Sequence, residues 1–175
     1  GDGERDLVLG TASPTTIAVR SGDGMGRFGP AVPHEFVEPI YYPHDLALGV
    51  ADLNGDRRAD LIELLQDGAG NRTQVLVHFQ SATGALVLVD SLWLDIVPQA
   101  LWGLTPAPPR FADVDGNGTL DNVTLAGIAN SVRGSLHVLL NDGLGHFESH
   151  GPFNAGLNCG RAMAAADLDL DGRTE

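Results

Sequence analysis

The nine residues from Asp52 to Asp60 read D-L-N-G-D-R-R-A-D, and the apolar segment Leu61-Ile-Glu-Leu64 follows at once. The same loop recurs as D-V-D-G-N-G-T-L-D at residues 113–121 and as D-L-D-L-D-G-R-T-E at residues 167–175. The opening G-D-G-E-R-D matches the end of a fourth copy, whose ninth position is Asp6. Consecutive ninth positions are 54, 61 and 54 residues apart. Such a period is typical of stacked or radially arranged supersecondary units.

The segments around each loop recur as well. A short apolar run precedes the loop, a strand-like segment follows it, and a second β-rich run begins some ten to fifteen residues further on. Two of these second runs lead into a glycine-rich turn closed by Phe, at residues 22–28 and 141–147, and Asp-Gly between β-rich runs is a strong hairpin signal. The middle copy is less regular, with Ser81-Ala-Thr-Gly84 at that place. Each repeat therefore predicts three or four short strands, the content of one propeller blade.

Composition narrows the class of protein. Hydrophobic residues make up 43% of the 175 residues, which predicts a globular chain, and 23 Gly with 10 Pro favour short elements joined by turns. The net charge of −13 argues against a nucleic-acid partner, which needs clustered basic residues. No stretch of eighteen apolar residues is present, so no membrane span is expected in this segment.

The acidic loops have the chemistry of a calcium site. Carboxylates at positions one, three and five converge on one point if the backbone curls, position seven can offer its carbonyl, and the acid at position nine closes the shell. Oxygen ligands in that number suit Ca²⁺, whereas zinc prefers Cys and His, which these loops lack. An EF-hand is the main alternative, since Glu63 stands at position twelve of one loop. Thr124 at the equivalent place of the next loop, and strand-like flanks, argue against it.

The pattern D-x-[DN]-G-[DN]-x-x-x-D, followed by an apolar strand and then N-D-G-x-G-x-F, resembles the FG-GAP/VCBS repeat, the calcium-loop blade of integrin-type β-propellers. The resemblance covers nearly the whole chain. It implies an all-β propeller, usually of seven blades with about four antiparallel strands each. The implied blades are residues 1–44, 45–104 and 105–160, with residues 161–175 forming the first strand and calcium loop of another. Because three repeats cannot close such a ring, we expect a longer chain, with assembly of several copies as the alternative.

The resemblance also implies the calcium ligands, position by position. The loop at residues 52–60 would use Asp52, Asn54, Asp56, the Arg58 carbonyl and Asp60. The next loop would use Asp113, Asp115, Asn117, the Thr119 carbonyl and Asp121. The last loop would use Asp167, Asp169, Asp171, the Arg173 carbonyl and Glu175, where Glu replaces the usual Asp. The first, partial loop keeps Asp2, the Glu4 carbonyl and Asp6.

Other candidate residues are fewer. Asn71 and Asn122 begin glycosylation sequons, which matter only in a eukaryotic secretory pathway. Exposed aromatic residues would suit a sugar-binding surface, although packing between blades is the more common role, and the candidates are Tyr41, Tyr42, Trp93 and Trp102. His44-Asp45 has no accompanying nucleophile motif, and Cys159 has no activating context. No catalytic residue is predicted, and we expect a protein that is not an enzyme.

The sequence therefore predicts a secreted, extracellular or cell-surface calcium-binding propeller with a structural, adhesive or ligand-binding role. Its partner would be a protein or a carbohydrate bound on a propeller face. One alternative is a non-catalytic accessory propeller of a secreted carbohydrate-active enzyme. Another is a subunit of an extracellular filament, in which open blade edges are completed by neighbouring copies.

Overall fold

The computed structural model describes residues 4–12, 15–35, 46–66, 73–94, 108–127, 133–158 and 163–164. Within these ranges the chain forms eleven β-strands and no helix, and all strand pairs are antiparallel. The predicted all-β class is confirmed. No helix capable of spanning a membrane was found in the part of the chain that is described.

The strands form three separate sheets, each in simple chain order. The first sheet contains β1 (Leu7–Ala12), β2 (Thr15–Arg20) and β3 (Val32–Glu35). The second contains β4 (Leu46–Ala51), β5 (Asp60–Gln66), β6 (Thr73–Gln80) and β7 (Leu86–Leu94). The third contains β8 (Arg110–Ala112), β9 (Asp121–Gly127), β10 (Arg133–Asn141) and β11 (Phe147–Asn158).

Both complete acidic loops described here connect the first two strands of a four-stranded sheet. Asp60 opens β5 and pairs with Ala51 at the end of β4. Asp121 opens β9 and pairs with Ala112 at the end of β8. Each loop thus connects the paired ends of two neighbouring strands, and this pairing holds its first and ninth positions close together.

The second and third sheets pack against each other through a shared apolar core. Ile62, Val75 and Val77 lie on one face of the second sheet and are fully buried, in one cluster with Leu139 and Phe147 of the third. A fully buried side chain of this kind contributes about 1.5–3 kcal/mol. The contact is close: a Cβ added to Gly49 on β4 would come within 2.7 Å of the Phe111 ring on β8. The first sheet adjoins the second where β1 lies beside β4.

The turn between the last two strands of each sheet is the same in all three sheets, despite the different sequence of the middle copy. Asp142 Oδ1 accepts two backbone N–H groups of its own turn, at 2.7 and 3.1 Å, and Asp23 makes the same pair of bonds at 2.8 and 3.0 Å. In the middle copy the Ser81 hydroxyl accepts the N–H of Ala85 at 3.1 Å. A serine hydroxyl therefore replaces a carboxylate in the same turn.

Candidate metal centre

The two acidic loops at residues 52–60 and 113–121 share one backbone conformation. Positions four and six have positive φ in both: 77° at Gly55 and 67° at Arg57 in the first, 78° at Gly116 and 88° at Gly118 in the second. Left-handed residues at these two places turn the chain so that alternate side chains face inward. We call these segments loop A (residues 52–60) and loop B (residues 113–121).

The position-one carboxylate organises each loop. Asp52 accepts the N–H groups of positions four, five and six of loop A at 2.8, 3.1 and 2.8 Å. Asp113 accepts the equivalent three groups of loop B at 2.8, 3.1 and 2.9 Å. In each loop Oδ1 accepts two of these bonds and Oδ2 accepts one. Because a carboxylate oxygen has two acceptor sites, Oδ2 keeps one site for a cation.

The position-nine carboxylate fastens each loop to the sheet. Asp60 is fully buried and accepts the N–H groups of Leu53 and Gln80, each at 2.9 Å. Asp121 is also fully buried and accepts those of Val114 and Asn141, each at 2.8 Å.

The partial first copy preserves part of this arrangement. Asp6 Oδ1 accepts the N–H of Gly22, just after β2, at 3.0 Å. The bonds from Gln80 at the end of β6 to Asp60, and from Asn141 at the end of β10 to Asp121, are the equivalent ones. Glu4 and Asp6 are both exposed. The position-nine acid therefore makes this one bond in all three sheets, whereas the second bond, to the loop itself, is described for Asp60 and Asp121.

Loop B brings three carboxylates together. Asp113, Asp115 and Asp121 each offer an oxygen, and these three oxygens lie within 4.8 Å of one another. Two oxygens on opposite sides of one Ca²⁺ are about 5 Å apart, because each Ca–O distance is about 2.4 Å. The oxygen spacing is therefore compatible with one bound hard cation, and Ca²⁺ is one such ion.

The electrostatics of loop B also favour a cation. Burial is the main cause that raises the pKa of Asp121, and the neighbouring Asp115 carboxylate adds to the rise, while backbone hydrogen bonds from Asn141 and Val114 oppose it. Like charges at this distance repel one another. A divalent ion placed between the carboxylates would convert that repulsion into attraction.

Loop A does not form such a cluster, although it is fully described. Its position-five carboxylate, Asp56, is ion-paired with Arg58, and the Arg58 Nε donates to the carbonyl of Gln80 at 2.7 Å. In loop B the equivalent carbonyl, that of Asn141, accepts from Asn117 Nδ2 at 2.9 Å and Thr119 Oγ1 at 2.6 Å. A guanidinium therefore occupies in loop A the place of two neutral side chains in loop B.

Asn141 is a site residue that the sequence analysis did not single out. Its side chain is almost fully buried, and Nδ2 donates to the Leu120 carbonyl of loop B at 3.0 Å and to the Leu53 carbonyl of loop A at 2.7 Å. Its Oδ1 accepts the N–H of Gly143 at 2.9 Å. One amide thus joins the two loops across the sheet interface. The signal in the sequence is the Asn of N-D-G, a motif that by itself predicts only a turn.

Several predicted residues lie outside the described part of the chain. These include Asp2 and the ligands proposed for the last loop, which are Asp167, Asp169, Asp171, Arg173 and Glu175. The sequon at Asn71 lies outside it too, as do Tyr41, Tyr42, His44, Asp45, Trp102 and Cys159.

Three other candidates are described. Asn122 is fully buried on β9, and its Nδ2 donates to the Arg110 carbonyl at 3.5 Å, so it is not accessible for a glycan in this structure. Trp93 is half-exposed on β7. Glu63, the residue at position twelve on which an EF-hand depends, is fully buried on β5 and does not join a cluster of metal-ligand type with the loop acids.

Comparisons of the chain with protein-family models, with curated proteins and with solved structures found no match. The repeated loop geometry and the carboxylate cluster of loop B therefore carry the functional conclusion.

Proposed function

We propose that this chain is part of an extracellular, calcium-stabilised β-propeller of the FG-GAP/VCBS type, with a structural, adhesive or ligand-binding role. The observation that carries the proposal is the convergence of Asp113, Asp115 and Asp121 in a hairpin between the first two strands of a sheet. The same loop connects β4 to β5, and the sheets follow one another at the spacing of the repeat.

The calcium would act as a cross-link within the fold. Asp113 and Asp115 would bind it from the curl of loop B, and Asp121 from the start of β9, with the Asn117 side chain and the Thr119 carbonyl as further ligands. The ion would thereby hold the hairpin closed and remove the repulsion between the carboxylates. At millimolar calcium and extracellular-type affinity, each site adds about 0.5–1.5 kcal/mol of stability.

A stabilised set of sheets provides a rigid support for loops, and loops on rigid supports are where binding residues concentrate. The partner would be a protein or a carbohydrate on a propeller face. The proposed role is binding rather than catalysis. A non-catalytic accessory propeller attached to a carbohydrate-active enzyme would be one form of this role.

A filament subunit is the second candidate, and the edge strand β7 favours it. This strand pairs only with β6 among the described strands, and Val87, Leu88 and Val89 on it are 50%, 45% and 41% exposed. A long apolar edge invites pairing with another strand. Light scattering over a range of protein concentrations would show growing particles if copies assemble in this way, and a constant mass if they do not.

The test of calcium binding is thermal unfolding with millimolar Ca²⁺ and again with excess chelator at constant ionic strength. We expect a clear fall of the midpoint on chelation, and a smaller fall in Asp115→Ala, which loses one ligand of loop B. Glu148→Gln is the matched control, because Glu148 is an exposed acid outside the loops, and it should respond as the wild type does. An unchanged midpoint in all three proteins would contradict the proposal.

A further inference from the structure

Glu63 is a fully buried carboxyl group outside the metal centre. It lies in the middle of β5, it is 0% exposed, and neither of its side-chain oxygens accepts or donates a hydrogen bond to the described residues. Side chains alternate along a strand, so Glu63 lies on the opposite face of β5 from Ile62 and the core shared with the third sheet. The equivalent position of β9 is Thr124, so this acid is peculiar to the second sheet.

His78 on the neighbouring strand β6 faces this carboxyl. Its Nδ1 lies 3.3 Å from Glu63 Oε1, and its side chain is 9% exposed. Burial raises the pKa of Glu63 to about 8, and burial lowers the pKa of His78 to about 4. Both shifts have the same physical cause, the cost of placing a charge where water cannot reach.

Few other charged groups adjoin the pair. In the neighbouring strands β4 and β1 there is no titratable residue, and β6 contributes only His78. The next strand, β7, contributes Asp90, which pairs with Val77 and accepts the N–H of Phe147 in the third sheet. Asp60 lies three residues away on the other face of β5. In the rest of the first sheet, β2 contributes Arg20, on the opposite face of its strand from the buried Ile17, and β3 contributes His34 and Glu35. Desolvation by burial is the cause that raises the pKa of Glu63, and among the described residues no charged group offsets an ionised carboxylate there.

Three protonation states of the pair can be compared. An ionised Glu63 beside a neutral His78 leaves a buried charge without compensation, which is the most costly state. An ion pair requires both groups to lose their hydration, and that loss often exceeds the attraction between them. A neutral carboxylic acid beside a neutral imidazole carries no net charge, and its O–H can donate to the unprotonated Nδ1.

We propose that Glu63 and His78 share a single proton as a neutral, hydrogen-bonded pair, which ties β5 to β6 and makes the fold sensitive to alkaline pH. The inference does not depend on calcium, because neither group belongs to a loop. Among the described residues, Glu63 is the buried acid that the metal centre leaves unexplained, and the inference assigns it a role.

The direction of the pH dependence follows from where the proton resides. Between about pH 4.5 and 6.5 the folded chain holds a proton on Glu63 while the unfolded chain holds one on His78, so the two effects cancel. Above pH 6.5 the unfolded chain releases its proton and the folded chain keeps it until about pH 8. In that window the unfolding equilibrium constant should rise up to tenfold per pH unit.

The test is urea unfolding from pH 6.5 to 8.5, carried out in saturating Ca²⁺ and again in chelator. In the wild type we expect the midpoint to fall as the pH rises, in both solutions, and in Glu63→Gln we expect a nearly flat profile. Glu148→Gln is the control, since Glu148 forms an exposed pair with His150 at 3.6 Å, and it should keep the wild-type slope. A wild-type slope retained in Glu63→Gln would overturn the proposal.

A spectroscopic measurement decides the question on the wild-type protein alone, and it covers the case in which Glu63→Gln does not fold. Carbon NMR of protein labelled at the Glu side-chain carboxyls should show one of the six Glu still protonated at pH 7, with a titration midpoint near 8. If all six are ionised at pH 7, the shared proton is excluded. A loss of the calcium effect on thermal stability would contradict the metal proposal and leave this one unaffected.

Discussion

Arg57 and Gly118 occupy the same position in loops A and B, and both have positive φ, 67° and 88°. Only glycine adopts that conformation without cost, since a Cβ comes too close to the following carbonyl oxygen. Residue identity at this point therefore changes the energy of the loop without changing its path. At Glu63, too, one residue changes the energetics without changing the strand: an acid stands where the third sheet has the neutral Thr124, and we propose that it carries a proton into the interior.

The variant Arg57→Gly should stabilise the protein by about 0.5 kcal/mol. Relief of the left-handed strain, about 1–2 kcal/mol, exceeds the entropy that glycine adds to the unfolded chain, about 0.5–1 kcal/mol. Urea unfolding measures the change. Arg57→Ala removes the same side chain but keeps the Cβ, so it should show no gain; a gain of equal size would mean that the guanidinium and not the backbone is responsible.

At the scale of the element, loops A and B have the same backbone hydrogen bonds but differ in the charges of their side chains. The position-one and position-nine acids hold the backbone in both. The side chain at position seven then sets the negative charge that remains to attract a cation. Arg58 neutralises the Asp56 carboxylate in loop A, whereas Thr119 carries no charge in loop B. A loop of this type can thus keep its shape while its capacity for a metal changes.

The variant Arg58→Thr should raise the number of calcium ions bound by one. It frees the Asp56 carboxylate from its ion pair and gives loop A the residue that loop B has at this position. Isothermal titration calorimetry measures the stoichiometry. The exposed Arg57→Gly, one residue earlier, suits the positive φ of this position, so it is the control and should leave the stoichiometry unchanged. Equal stoichiometry in Arg58→Thr and the wild type would show that the ion pair is not what separates the loops.

At the scale of the whole molecule, the sheets are joined by a few polar contacts as well as by the apolar core. Phe147 at the start of β11 donates its N–H to Asp90 on β7 at 2.9 Å. Asn141 contacts a carbonyl of each loop. These contacts fix the relative position of the second and third sheets, because hydrogen bonds restrict distance and direction more closely than apolar packing does.

The variant Asn141→Ala should destabilise the protein by about 1–3 kcal/mol, because it leaves the Leu53 and Leu120 carbonyls without this donor inside the interface. Chemical unfolding gives the change in free energy. Asn141→Asp keeps an oxygen for the Gly143 N–H but offers no amide donor, so it should be similarly damaging. A mild effect of both substitutions would assign the stability of the interface to the apolar core alone.

The local part of this protein was predictable from its sequence. The loops, the strands that flank them and the all-β class follow from spacings within some ten residues, where glycine, aspartate and alternating apolar residues have strong local preferences. The calcium centre and the division into blades stay predictions. The convergence of Asp113, Asp115 and Asp121 is what the spacing of acids at positions one, three and nine leads one to expect.

What only the tertiary structure decided are the contacts between segments far apart in the chain. Asn141 meets Leu53 at a separation of 88 residues, Arg58 reaches a carbonyl on β6, and Glu63 becomes a buried acid beside His78 rather than a loop ligand. No local pattern encodes these, because the partner of a buried polar group depends on how the sheets pack and on what water they exclude.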